Sequence, residues 1–327
     1  MPEPAEDAPT VFSTFACGGG SSMGYKLAGY NVVGNCEIDP RIAAVYAANL
    51  HPKLQYVEDI RDFNKRDDLP DELYGLDVLD GSPPCSTFAM CGSREKAWGV
   101  EKRFAEGQAL QTLDDLFFVY LETVGKLRPR AFVAENVVGL VRGNAKGYVN
   151  EIVAEARKLG YQVQAFVLNS ARMGVPQSRE RVFIVGNREN APKLKLAFDE
   201  DEITFGDCRT REGGEELRGK IKLIAENVKP YERDLKESCG RLYGNKSFFN
   251  YRMNYDEMPA CTVTASVKNV RYCDMTYVSD RDTANACTFP QDYDFRGLQT
   301  GFICGMSVPP VMMANVAHEI REQWLNG

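Results

Sequence analysis

Short apolar runs alternate with segments of helical period through the first 190 residues or so. "TVFSTF" (10–15) predicts a strand, followed by glycines and a helix through "MGYKLAGY". "NVVGNCEID" predicts a second strand, and the helix after it, "PRIAAVYAANL", opens with a proline whose fixed φ suits a first helical turn. "LDVLDG" (76–81), "RAFVAEN" (130–136), "YQVQAFVLN" (161–169) and "RVFIVGN" (181–187) predict further strands, with long helices over 108–127 and 146–159. Strands and helices in alternation predict an α/β fold: a doubly wound, mostly parallel, Rossmann-like sheet. Ligands of such sheets bind outside the C-terminal strand ends.

Beyond about residue 190 the period fails. "REGGEELRGKIKLIAENVKPYERDLKESCGRLYGNKSFFNYRMNY" mixes loop signals with scattered aromatics and predicts a second, smaller, irregular domain. "PPVMMANVAHEIREQWL" regains helical spacing and should pack back on the sheet. The expected division is therefore 1–188, 189–300 and 301–327. No apolar run reaches the roughly 18 residues of a membrane span. The start, "MPEPAEDAPT", is acidic and proline-rich, unlike a targeting peptide, and reads as a disordered lead-in.

Composition narrows the chemistry. Ten cysteines occur with no Cys-x-x-Cys pair, and only two histidines, His51 and His318, are present. Structural zinc needs clustered ligands, so no metal is expected. Reduced thiols fit a cytoplasmic protein. A Cys-His or Ser-His nucleophile would need His51, after a helical run, or His318, inside the C-terminal helix; a structural or solvated role suits both better. The net charge of −7 argues against nucleic acid, but residues 126–188 hold 11 basic and 4 acidic side chains. That stretch is a candidate electrostatic footprint, although charge runs are often solvated faces.

The candidate chemistry lies at the predicted strand ends. "FACGGGSSMG" follows the first strand, and its glycines let a ligand approach the backbone. The G-x-G-x-x-G fingerprint fails because Met23 stands at the third glycine, which disfavours a dinucleotide. Glu37 ends the second strand about 20 residues on, where an acid can accept ribose hydroxyls. Together these favour a nucleoside ligand without pyrophosphate, S-adenosylmethionine above all. Cys85 follows "GSPP", a lead-in whose prolines restrict the backbone in front of one thiol, and the polar run after it reads as a lid. Glu135 and Asn136 end the apolar "FVAENV", a setting expected to raise the acid's pKa. Arg179 and Arg181 are two apart at a strand start, which predicts a shared face.

In this order the stretches resemble the cytosine-5 DNA methyltransferase family, prokaryotic type, over nearly the whole chain. "FACGGGSSMG", "CEID" and "EDI" resemble the first three family motifs. "SPPCS" resembles the proline-cysteine motif, "ENV" the glutamate motif and "QSRER" the Gln-x-Arg-x-Arg motif. "MPACTVTAS", "CTFPQDYDF" and "CGMSVPPVMMANVAHEI" resemble the stretches that follow the recognition region. Cys17 stands where glycine is usual, Ser13 where an acid is frequent, Ser86 for glutamine and Met306 for asparagine.

The resemblance implies S-adenosyl-L-methionine as methyl donor, S-adenosyl-L-homocysteine as product and a flipped cytosine in double-stranded DNA as substrate. It implies Cys85 as nucleophile, with Glu135, Arg181, Arg179 and Asn136 completing the catalytic set. The cofactor pocket is expected from Phe15, Ala16, Cys17, Gly18, Gly19, Gly20, Glu37, Ile38, Asp39, Asp59, Ile60, Ser82, Pro83, Leu116, Met306 and Val308. A monomer of bacterial, archaeal or phage origin, nucleoid-associated and with or without a cognate restriction endonuclease, is the expected context. Two other readings are an RNA-directed branch, whose "CFT" signature is missing, and a regulator with a dead site, which the Cys85, Glu135 and Arg181 set disfavours.

Overall fold

The computed structural model describes residues 4–84, 116–141, 146–245, 247–248 and 250–326. Within them the six predicted strands and one more pair into a seven-stranded sheet: β1 (Thr10–Thr14), β2 (Asn31–Cys36), β3 (Leu54–Tyr56), β4 (Val78–Gly81), β5 (Ala131–Val137), β6 (Gln162–Asn169) and β7 (Glu180–Asn187). The order is β3-β2-β1-β4-β5-β7-β6. All pairings from β3 to β5 are parallel, and β7 runs antiparallel to β5. β3 escaped the sequence reading because it is three residues long and only half-buried. Doubly wound connections put helices on both faces, so the central strands are apolar throughout rather than alternating. β5, "AFVAENV", is buried over its first six residues.

The helices are α1 (Gly20–Leu27), α2 (Pro40–Leu50), α3 (Ile60–Lys65), α4 (Leu116–Leu127), α5 (Lys146–Lys158), α6 (Phe205–Cys208), α7 (Gly219–Glu226), α8 (Leu235–Tyr243), α9 (Asp280–Ala286), α10 (Thr300–Met306) and α11 (Pro310–Ile320). α2 starts as its sequence dictates: Pro40 occupies the first turn, and the Asp39 carboxylate caps the Arg41 amide. The front half of the helix expected at 108–127 falls outside the described residues. A smaller sheet, β8 (Tyr251–Asn254), β9 (Lys268–Arg271) and β10 (Thr276–Tyr277), has the order β10-β9-β8.

Two compact units result. The first contains 1–168, 180–197 and 313–327, and the second 169–179 and 198–312. Segments 169–179 and 301–312 thus belong with the smaller unit, where the sequence had grouped them with the sheet and with the last helix. The cause is side-chain bonding. Arg179 donates to the carbonyls of Val263, Gly305 and Ser307, and Gln177 accepts from the Val263 amide.

The first unit is filled by Phe12, Phe63, Leu79, Tyr120, Phe132, Ile184 and their neighbours. Residues 313–327 pack within it: the Tyr30 hydroxyl donates to the Ala317 carbonyl, and the Trp324 indole to that of Pro192. By length and composition Thr300–Leu325 passes for a membrane span, which the sequence reading did not anticipate. Of its 18-residue apolar window 67% is buried, as in a core helix, and extended residues interrupt it before Pro310.

Candidate active site

β1 ends in a loop with alternate residues in the left-handed region: Phe15 (φ 51°), Cys17 (φ 47°) and Gly19 (φ 83°). Glycine adopts that conformation freely, whereas Phe15 and Cys17 hold it at a cost of about 1–2 kcal/mol each. Strain of this kind persists where surrounding structure enforces it and concentrates at binding sites. At Gly19 a Cβ would also lie 2.2 Å from the Leu50 side chain. Gly20 begins α1, and Ala16, Gly18, Gly19 and Gly20 are buried.

Glu37 leaves the end of β2 and turns back to this loop. One carboxylate oxygen accepts the Cys17 amide at 2.9 Å and the other the Asp39 amide at 3.0 Å. Burial pushes its pKa up, and the two amides oppose that shift. A carboxylate offers about four lone-pair sites, so each oxygen retains capacity for a ribose hydroxyl. The strained loop and the partly spent acid therefore suit a nucleoside ligand. Ile38 is half-buried beside Glu37. Asp59 caps α3 through the Arg61 amide at 2.8 Å, and Ile60 is that helix's first residue. Leu116 is buried in the same apolar cluster on which Phe15 packs.

A second group converges at the ends of β4, β5 and β7. Glu135 and Arg181 are diagonal neighbours, since Glu135 pairs with Phe183 and Val137 with Arg181. Arg181 Nε lies 2.9 Å from Glu135 Oε1, with side chains 12% and 8% exposed. The acid expected in an apolar setting therefore meets a guanidinium; burial pushes the Arg181 pKa down, and Glu135 opposes that. Asn136 points the other way, as strand alternation requires, and its amide donates to the Pro83 carbonyl at 2.9 Å. That bond fixes the Ser82–Pro84 segment two residues ahead of Cys85. Cys85 itself, and the lid expected after it, lie outside the described residues.

Arg179 and Arg181 do not share a face. β7 begins at Glu180, so Arg179 precedes the strand, and its guanidinium bonds three carbonyls of the second unit at 2.7–3.1 Å. Met306 and the buried Val308 belong to that second unit as well. Much of the basic stretch 126–188 is spent internally. Arg130 pairs with Asp77 and Glu189, Arg172 with Asp199 and Glu202, while Lys126 and Arg188 donate to backbone carbonyls. That pairing depletes the footprint inferred from sequence charge. Among the described residues no cluster of His, Cys, Asp or Glu is placed to hold a metal ion.

Sequence reasoning missed Asp80, a buried acid on β4 bonded to Ser13 and Ser21. The only available signal was a second carboxylate inside "LDVLDG".

The family model for C-5 cytosine-specific DNA methylases matches residues 10–322. The chain is 30% identical over 313 residues to the type II methyltransferase M.Sau96I of Staphylococcus aureus, covering 88% of this chain and 69% of that one. It is 25% identical over 350 residues to M1.HphI of Haemophilus parahaemolyticus, covering 97% and 88%. In fold it is similar to a prophage-encoded DNA modification methyltransferase of E. coli, with TM-score 0.68 at 19% identity, covering 98% and 100%.

Proposed function

The chain belongs to the C-5 cytosine-specific DNA methylase family, and we propose that it performs that family's reaction with Cys85 as nucleophile and Glu135 and Arg181 as its partners on the base. It is an S-adenosylmethionine-dependent DNA cytosine-5 methyltransferase. The cofactor supplies an electrophilic methyl group on a sulfonium.

Carbon 5 of cytosine is a poor nucleophile until the ring loses its aromaticity. Cys85 attacks carbon 6 as the thiolate, forming a carbon–sulfur bond and leaving carbon 5 enamine-like. Glu135 holds ring nitrogen 3 and the exocyclic amine and hands a proton to the ring as negative charge develops there. Arg181 orients Glu135 and takes the ring carbonyl oxygen. Asn136 fixes Pro83 and with it the approach of the thiol, while Arg179 supports the second unit. Carbon 5 takes the methyl group, releases its proton to water, and the Cys85 thiolate leaves as the double bond re-forms. A stacked base cannot be reached this way, so the cytosine is flipped out at a cost of a few kcal/mol.

On the cofactor side, Glu37 takes the ribose hydroxyls, Phe15 and Ile38 flank the adenine, Asp59 takes its exocyclic amine, and Leu116 closes the pocket. Residues 189–300 select the DNA site. The protein acts as a monomer on double-stranded DNA in the cytoplasm, with a cognate restriction endonuclease as the partner that its relatives' type II names support.

The buried Glu135–Arg181 pair beside the Asn136–Pro83 anchor carries this reading. Mapping methylated cytosines in DNA from expressing cells identifies the site. A duplex with 5-fluorocytosine there should then form, with S-adenosylmethionine, a complex stable to denaturing electrophoresis, because fluorine cannot leave as a cation. Cys85→Ser should give no band. No band from the parent protein on the mapped site defeats the covalent mechanism, and a band only with fluorinated RNA transfers the reaction to RNA.

A further inference from the structure

The reaction just described leaves Asp80, a buried acid of the first unit, without a task. Asp80 is 1% exposed and lies one residue before the end of β4, the strand that leads to Cys85. Its Oδ2 accepts the Ser13 hydroxyl of β1 at 2.7 Å and the Ser21 hydroxyl of α1 at 2.8 Å. The Tyr25 hydroxyl lies 3.5 Å from Oδ1, and Thr14 donates to the Asp80 carbonyl at 3.1 Å. Ser13 is also the registered neighbour of Asp80 on one side and of Asn35 on the other. A polar row, Asp80–Ser13–Asn35, thus crosses β4, β1 and β2.

Two properties set this acid apart. Its donors bracket the left-handed loop: Ser13 stands two residues before Phe15, and Ser21 two residues after Gly19. Asp80 is therefore the side chain that ties both ends of that loop to the strand carrying the nucleophile. Second, among the described residues it makes no ion pair, although a buried carboxylate without a cation is costly. Hydroxyls alone carry its charge. The cation that the family's reaction brings to this loop is a sulfonium, and its methyl must lie between the loop and the base that Cys85 attacks.

We propose that Asp80 is a positioning residue for methyl transfer: it fixes the loop Phe15–Gly19 against β4, and its negative charge favours a sulfonium over a neutral thioether in that loop. The proposal rests on assigning the loop to the cofactor. Burial pushes the Asp80 pKa up to about 6; the Ser13 and Ser21 hydroxyls oppose that, and the Glu135 charge adds to it. The other titratable groups facing it are Tyr25 of α1, Tyr46 of α2 and Tyr120 of α4, all pushed upward and so neutral at neutral pH. Glu135 of β5 is paired with Arg181. Below pH 6 Asp80 is protonated and indifferent to the ligand's charge. Above it the carboxylate attracts a cation, so sulfonium binding and proton release are linked.

The test is calorimetric titration of S-adenosylmethionine and S-adenosylhomocysteine side by side at about pH 5 and about pH 7. The two ligands share adenine, ribose and amino-acid groups, so contributions from Glu37 cancel in the ratio of their affinities. That ratio should rise by about three- to tenfold between the two pH values, where one pKa unit corresponds to tenfold. In Asp80→Asn it should stay flat. A parent ratio that does not move, or an equal rise in Asp80→Asn, overturns the proposal. Ser21→Ala keeps the acid but removes a donor to its charged form, so the rise should shift to higher pH; an unmoved midpoint also overturns it. If the parent protein binds neither ligand, the assignment of the loop falls, and the role of Asp80 with it.

Discussion

The two units keep their shape by different means. The first buries apolar side chains on both faces of a seven-stranded sheet, with Phe12, Leu79, Tyr120 and Phe132 at its centre. The second has a three-stranded sheet and a smaller cluster around Ile224, Leu235, Met253 and Val270. It supplements that cluster with charge. Arg271 and Asp282, 1% and 0% exposed at their side chains, meet at 3.1 Å. Asp282 also accepts the Thr210 amide and hydroxyl, and Arg209 grips Asp256 through two bonds of 2.6 and 2.7 Å. A buried ion pair adds little net stability, but removing one member strands the other and is expensive. The second unit, with its smaller apolar cluster, should therefore yield abruptly to the loss of one such charge.

The sharpest way to break that contrast is Arg271→Met. It leaves Asp282 buried without its cation and should cost about 3–5 kcal/mol. Amide hydrogen exchange should accelerate across α9 and β8–β10 while β1, β4 and β5 stay protected; equal acceleration in both units would erase the distinction. Next in size is Glu37→Ala, expected to weaken S-adenosylmethionine binding by about 1.5–3 kcal/mol, the scale of hydrogen bonds to a charged group. Protection of the second unit should not change, and a calorimetric affinity equal to the parent's removes Glu37 from the pocket. The smallest effect belongs to Cys17→Gly. Relief of the left-handed strain and the added freedom of the unfolded chain oppose each other, so thermal unfolding should register a change within about 1 kcal/mol. A larger loss would mean that the Cys17 side chain, and not its backbone alone, holds the loop.

The same contrast explains what could be read in advance. Alternating strands and helices are local patterns, and β1, β2, β4, β5, β6 and β7 announce themselves within a few residues each. Glu37 and Glu135 were legible as acids closing apolar runs. Asp80 was not, because "DVLDG" reads as one apolar–acidic strand and nothing in it shows that Ser13 and Ser21 converge on the second acid. The spacing of Arg179 and Arg181 suggested a common face, but only the structure shows that the strand starts between them. In the second unit the organising bonds span long stretches of chain, with a separation of 47 positions from Arg209 to Asp256 and 128 from Arg179 to Ser307. No local period encodes a bond of that kind.

The division of the chain also bears on how the second unit could be exchanged between chains. The backbone passes between the units four times, at 168/169, 179/180, 197/198 and 312/313. An exchange of residues 198–312 alone would move the carbonyls of Val263, Gly305 and Ser307 without the arginine that gathers them. Gln177, which holds the Val263 amide and the Ala286 carbonyl, would be left behind as well. The second unit is therefore discontinuous along the chain: it can be transplanted intact only when the short excursion 169–179 travels with it.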